Sequence, residues 1–308
     1  MDIRYASGDF NLVDDPTMTK DQTAGLQAFL SAMGGSGKAI LPPWRMAFRQ
    51  LIITPGLDLE GSGIGPQYDS GRGTLLKQLP GSNCDAIVTQ DLTGSWMHWT
   101  RLSNFRLEGT PTDTVGSGIK FLRPLGEGTT IDRVFVKGFP ENGIWLADGA
   151  VPGKLRDLHL FQNGQYGLKL GSHDALKRFY ATYIETVSGD DNGLGLIHLV
   201  KLQKAYTTIQ FMHVKSEGDT TKQNDMIHIE DCLCNVSIHT ASSTGIIPRT
   251  VIKSMVKITG PQTPRVSIHD PGWSGIDYLI NDTANNITVP AGNPIALYYK
   301  DGLLSSWG

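Results

Sequence analysis

The sequence has no excess of either charge: 27 Lys+Arg stand against 30 Asp+Glu, a formal net charge of -3 over 308 residues. A dedicated nucleic-acid binder carries a basic surplus, so no nucleic-acid partner is expected. Long apolar runs are missing too, and no segment reaches the 18 or more residues that a helix needs to cross a bilayer. Membrane insertion by a helix is therefore not expected. A hydrophobic content of 39% with evenly mixed charge does not match a disordered chain either. Cysteine is scarce, with Cys84, Cys232 and Cys234 alone. Cys232 and Cys234 lie two apart, so on a strand they share a face and do not readily close a disulfide with each other. A lone Cys-x-Cys pair is too little for a zinc site, and the three read as small apolar core residues. The start, Met1-Asp-Ile-Arg-Tyr, has no basic stretch followed by an apolar run, so no signal peptide is read and no compartment is assigned.

Glycine, by contrast, is abundant: 36 residues, about 12% against a typical ~7%. Many turns follow. Helical patterning is confined to about Lys20 to Met33, where Leu26, Phe29, Leu30 and Met33 fall at the spacing of one face. Thr19 and Gln22 fit a capping box, and Gly34-Gly35 a stop. Beyond it come short β-like runs. Gly118, Gly143, Gly167 and Gly193 open four of them at intervals of 25, 24 and 26 residues. Each is followed by a second run: Ile131–Val136, Leu155–Leu160, Leu176–Ala181 and Ile209–Val214. Shorter pairs recur at Ile227 with Val236 and at Val256 with Val266. A repeat of this length made of short strands is the mark of a solenoid, because each strand pair buries its apolar face only when coils stack. Neither helical repeats nor propeller blades fit. The Asn142-Gly, Asn163-Gly and Asn192-Gly pairs read as turn residues tolerant of positive φ.

The leading segment Asp21-Gln-Thr-Ala-Gly-Leu-Gln-Ala-Phe-Leu, then Gly37-Lys-Ala-Ile-Leu-Pro, Leu57-Asp-Leu-Glu-Gly-Ser-Gly and coils such as Thr130-Ile-Asp-Arg-Val-Phe-Val resemble the right-handed β-helices of the pectate-lyase-like superfamily. Within it the chain is most similar to phage tailspike and depolymerase proteins and related polysaccharide-degrading enzymes. The resemblance spans roughly residues 1 to 290. It implies an all-β fold, a right-handed single-stranded parallel β-helix with an N-terminal capping helix. The expected division is an N-terminal segment with the helix over 1–36, the β-helix over 37–292, and a tail over 293–308 that packs on the last coil or a neighbouring subunit. It also implies a homotrimer and a polysaccharide partner, met as extracellular glycan or as part of a virion.

In such a coil the aliphatic residues point inward and their neighbours outward, so stacking turns each outward position into a column. On the first strands the expected column is Lys120, Trp145, Lys169, His198, His228 and Lys257, and from it Lys120, Trp145, Lys169 and His228 are the candidate substrate-binding residues. On the second strands the expected columns are Phe135, His159, Tyr180, His213, Ser237, Ser267 and Lys137, Phe161, Thr182, Lys215, His239, His269. Rings stack on sugar faces, and cations pair with carboxylates. The expected function is cleavage of an extracellular, acidic polysaccharide, the alternative being a non-catalytic glycan-binding or structural β-helix of a phage tail or surface assembly, and for cleavage two chemistries remain open. Hydrolysis needs two carboxyl groups flanking the bond, with Asp157, Glu185, Asp190, Asp191, Glu217 and Asp219 available. Elimination needs a base, from His159, Tyr180 or His213, and a cation, from Arg156, Arg178 or Lys169. The candidate catalytic set is Asp157, His159, Arg178, Tyr180, Glu185, Asp191 and His213, with a modest preference for hydrolysis. The polygalacturonase motif set does not occur together. No cofactor is expected; Asp190, Asp191 and Asp219 offer oxygen ligands for calcium, but their spacing assigns no site.

Overall fold

A computed structural model describes residues 3–5, 10–65, 73–89, 96–122, 126–147, 153–173, 179, 182–216, 225–243, 252–262, 264–272, 276–283, 285, 287–290, 297–300 and 303–306. Two long sheets carry the fold. Sheet 1 has fourteen strands and sheet 2 has ten, and successive coils contribute to each in turn. Pairing is parallel throughout the body, as between Thr130–Lys137 and Lys154–Phe161 in sheet 1 and between Ile144–Leu146 and Tyr166–Gly171 in sheet 2. The chain is a parallel β-helix. Three C-terminal strands break the pattern: Ile287–Pro290 pairs antiparallel with Ile276–Asp282, and Leu297–Lys300 with both Arg265–Gly272 and Leu303–Ser306.

Inward aliphatic residues explain the stacking. Ile131, Val134, Leu155, Leu158, Ile184, Val187, Phe211 and Val214 of sheet 1 meet Ile144, Leu146, Leu168, Leu170, Ile197 and Leu199 of sheet 2 in one continuous core. A buried Leu or Val contributes about 1.5–3 kcal/mol by leaving water, and no strand here is long enough to achieve that burial without its neighbours. Cys232 and Cys234 are free and buried in that core. The helix spans Thr23–Ala32, shorter than the pattern suggested, and closes the N-terminal end with Leu26, Phe29 and Leu30 buried. Its start also differs from the expected capping box. Asp21 Oδ1 accepts from the Thr23 N–H at 3.0 Å, while Gln22 Oε1 accepts from Val13 N–H at 2.9 Å, far from the helix end.

The corners are built in two ways. Asn104, Arg133 and Asp157 occupy the same step of three successive coils, and all have left-handed φ of 60°, 50° and 46°. One such residue turns each of these three strands while the pairing continues on both sides of it. The Asn-Gly pairs work differently from the expectation, because none has a positive φ. Asn142, Asn163 and Asn192 are instead buried. Asn163 Oδ1 accepts from Phe139 N–H at 3.2 Å and its Nδ2 donates to Asn192 Oδ1 at 2.9 Å, so the amides form a ladder inside the turn. Glycine beside them meets a close approach: a Cβ on Gly143 would lie 2.7 Å from the Gly167 carbonyl oxygen.

The step between neighbouring coils varies, and this moves a predicted strand. Arg156 follows Asp132 by 24 residues, whereas Ser188 follows its cross-strand neighbour His159 by 29. The strand beside Lys154–Phe161 is therefore Thr182–Asp190, in place of the apolar run Leu176–Ala181.

Candidate functional site

On sheet 2 the outward column follows the expected order. Lys120, Trp145, Lys169, His198, His228 and Lys257 are cross-strand neighbours in sequence. Their side chains mostly bind one another. Lys120 Nζ lies 4.3 Å and Lys169 Nζ 4.7 Å from the Trp145 ring centre, and Lys120 is also 3.0 Å from Asp85 Oδ2. Trp145 Nε1 donates to Gly171 O at 2.8 Å. Tyr166 stacks on His198 at 4.3 Å, and its hydroxyl is 2.9 Å from His228 Nδ1. His228 Nε2 is 2.8 Å from Thr259 Oγ1, and Lys257 Nζ is 3.3 Å from Asp225 Oδ2. Burial, with Lys257 next, pushes His228 down to about 4, and burial raises the Tyr166 hydroxyl. Both are neutral near pH 7. Tyr166 was not expected here, since strict alternation puts it inward with Leu168. A Cβ on Gly167 would face Leu160 and Leu196, so alternation fails beside Tyr166, which is buried against His198.

Sheet 1 presents a more open surface. Arg106, Phe135, His159, Ser188 and Lys215 are successive neighbours, and beside them run Glu108, Lys137, Phe161 and Asp190. Arg106 Cζ lies 4.5 Å over Phe135, which stacks on Phe161 at 5.3 Å with ring planes 8° apart. Phe135 is buried in this stack, and Phe161 is the ring left partly open. Two hollows indent the surface. The larger, about 530 Å³, is lined by Lys77, Glu108, Lys137, Phe139 and Gln162 among others. The smaller, about 300 Å³, is lined by His159, Phe161, Thr186, Ser188, Gly189, His213 and Lys215. Phe161 and Gln162 are consecutive, so the hollows adjoin at one edge of the sheet.

His159 is the best-prepared group in the smaller hollow. Its Nδ1 lies 2.8 Å from Ser188 Oγ, which in turn reaches the Leu158 carbonyl oxygen at 3.4 Å. A serine proton given to that carbonyl leaves Oγ to accept from Nδ1–H. This tautomer puts the lone pair on Nε2, where a base needs it. Burial pushes the His159 pKa below its ordinary value, with Asp157 partly opposing and Lys215 assisting.

The expected second-strand columns are corrected at the 29-residue step after His159, while Ser237–Ser267 and His239–His269 are neighbours as expected. Ser188 and Lys215 occupy the steps assigned to Tyr180 and His213, and Asp190 the step assigned to Thr182. His159 and His213 nevertheless share the smaller hollow, because His213 is paired with Thr186. Asp157 holds a left-handed corner, and Asp191 another with φ 53°, its Oδ2 accepting from Gln162 Nε2 at 3.5 Å. Glu185 is exposed on the strand Thr182–Asp190. Arg156 is held by Asp132 at 2.5 Å. Arg178, Tyr180, Glu217 and Asp219 lie outside the described residues. Ser188 carried no signal in the sequence, since it enters the column only through the 29-residue step.

No protein-family model matches the chain, and comparison with curated proteins gives no match. Solved structures do match. Tailspike protein 2 of the Escherichia coli O157:H7 bacteriophage CAB120 aligns with a TM-score of 0.52 at 12% identity, over 87% of this chain and 40% of that one. The ORF18 protein of Geobacillus virus E2 aligns with a TM-score of 0.48 at 14% identity, over 90% and 62%. The A-module of mannuronan C-5 epimerase AlgE4 from Azotobacter vinelandii aligns with a TM-score of 0.43 at 15% identity, over 92% and 99%. The match thus spans about two fifths of the length of the tailspike protein.

Proposed function

We propose that this parallel β-helix acts on an acidic polysaccharide, bound along the outer face of sheet 1 and cleaved by β-elimination in the hollow around His159. The observation that carries the reading is the run of cations and rings along one face, with two adjoining hollows in it. Lys137, Lys77 and Lys215 suit uronate carboxylates, and the partly open Phe161 ring suits a sugar face. The tailspike likeness supports the fold on which such a groove is built; the glycan itself is inferred from the groove.

Elimination is favoured over the hydrolysis that the acidic loops suggested. Hydrolysis needs paired carboxyl groups about 5–9.5 Å apart across the bond. Among the described residues lining the hollows, the larger has Glu108 alone and the smaller has no carboxylate. In the elimination, Lys215 offsets the uronate charge and His159 Nε2 takes the proton alpha to that carboxylate. The electrons of the C–H bond form the new double bond, the bond to the glycosidic oxygen breaks, and that oxygen leaves with its pair and is protonated, with His213 placed to donate. No oxidant or reductant enters. The trimer that the resemblance implies belongs to this reading, and sedimentation velocity at several concentrations tests it.

The experiment is a panel of bacterial and plant polysaccharides, following reducing ends and the ultraviolet absorbance of unsaturated uronates in the same tubes. Both signals rising together, and both abolished in His159→Ala, is the expected result. Reducing ends without absorbance would replace elimination by hydrolysis. Silence with retention on a glycan array would leave a binding spike.

A further inference from the structure

Three successive coils each place one donor atom on sheet 2, one of them from His198 of the column described above. His198 comes from the strand Gly195–Val200, Glu230 ends the next strand, Asp225–Glu230, and His173 follows the preceding strand, Tyr166–Gly171. His198 Nε2 is 2.9 Å from Glu230 Oε2, and His173 Nδ1 is 3.7 Å from Glu230 Oε1. All three donors lie within 4.8 Å of one another. Ligands bound tetrahedrally at about 2.1 Å stand about 3.4 Å apart, and the two measured distances bracket that value. We infer that His173, His198 and Glu230 form a binding site for one divalent transition-metal ion, with zinc the best fit.

Chemistry and placement both support the choice. Two imidazoles and a carboxylate form a donor set suited to zinc and its neighbours, whereas calcium and magnesium want six or more oxygens. The His198 side chain is 4% exposed and fixed by ring contacts to Tyr166 at 4.3 Å and His228 at 4.8 Å, so one ligand is held rigidly. The His173 backbone is tied by its carbonyl oxygen, which accepts from Lys201 Nζ at 2.6 Å. The side chains of Glu230 and His173 are 33% and 52% exposed, which leaves an ion a path from solvent. Three protein ligands leave the fourth position to water or to a ligand oxygen. His228 is not a member, since both of its ring nitrogens already face hydroxyl groups, of Tyr166 and Thr259.

The site does not depend on the glycan reading, because metal uptake is measured directly. The full chain is stripped with EDTA, dialysed, and titrated with zinc chloride by calorimetry, with cobalt(II) visible absorption as a second readout. One ion per chain is expected, with tetrahedral-type cobalt bands. Affinity should fall at least about 10-fold in both His173→Ala and Glu230→Gln, as loss of a ligand requires. His173 is exposed, so its variant keeps the fold, and circular dichroism checks this. His239→Ala is the control: His239 stacks on His269 at 4.9 Å on the other sheet, and its removal should change nothing. Absence of stoichiometric binding to the wild-type chain, or binding unaltered in both ligand variants, would overturn the site.

Discussion

At the scale of single residues, His159 shows how a β-helix prepares a base on its surface. The side chain is covered enough to favour the neutral ring, and Ser188 orients it. The consequence for stability has a definite sign. An unfolded histidine titrates near pH 6.5, and the folded value lies below it. As pH falls under about 6.5 the unfolded chain therefore binds more protons than the folded one, and stability declines on acidification down through the folded value. Denaturation midpoints of the wild type and His159→Gln should diverge less at pH 5 than at pH 8, the variant having lost this acid sensitivity. Lys215 tests the other half of the proposed chemistry. Lys215→Met should cut cleavage of uronate polymers by about 10²-fold or more, as removal of a group that stabilises developing charge does. Its melting temperature should stay close to that of the wild type.

At the scale of elements, the turns carry predictions that separate structure from chemistry. Asn163→Ala strands the Phe139 N–H in a buried turn and removes one of two donors to the Asn192 side-chain oxygen, which keeps the Asn163 N–H. A loss of about 1–3 kcal/mol in unfolding free energy is expected. Asn142→Ala should cost less, because the Asn142 Oδ1 is buried without a hydrogen-bond partner among the described residues. Asp157 is a candidate catalyst that the fold uses as a corner, and Asp157→Asn distinguishes the roles. Asn104 adopts the same conformation two coils away, so the variant should fold with stability within about 0.5 kcal/mol of wild type. Activity retained in that variant would assign Asp157 to the turn alone. The sheet 2 column was legible in full because alternation places one outward residue in each first strand from Lys120 to Lys257, although the steps between them range from 24 to 30 residues. The sheet 1 columns were legible as far as His159 and again at Ser237–Ser267 and His239–His269, but not between. There the apolar run Leu176–Ala181 looked like the next strand, and nothing local distinguishes it from Thr182–Asp190.

At the scale of the whole molecule, the two long sheets turn a chain of near-zero net charge into faces of distinct character. Lys77, Lys137 and Lys215 share one face despite being far apart in sequence. Glycan affinity on that face should weaken steeply between about 0.05 M and 0.5 M salt, since screening shortens the reach of exposed charges to a few ångströms. Affinity that ignores salt would point to ring stacking alone. The sequence by itself determined the solenoid, the N-terminal helix and the identity of the inward residues, because repeat length and alternation are local properties that stacking must obey. Only the tertiary structure decided which outward residues meet His159 on sheet 1. On sheet 1 the 29-residue step after Lys154–Phe161 replaces the expected neighbours of His159, and Tyr166 is buried against His198 where strict alternation puts it beside Leu168. The triad His173, His198 and Glu230 depends on the same cause: its members are separated by whole coils, and the distance between them is set by the ~4.8 Å step from strand to strand.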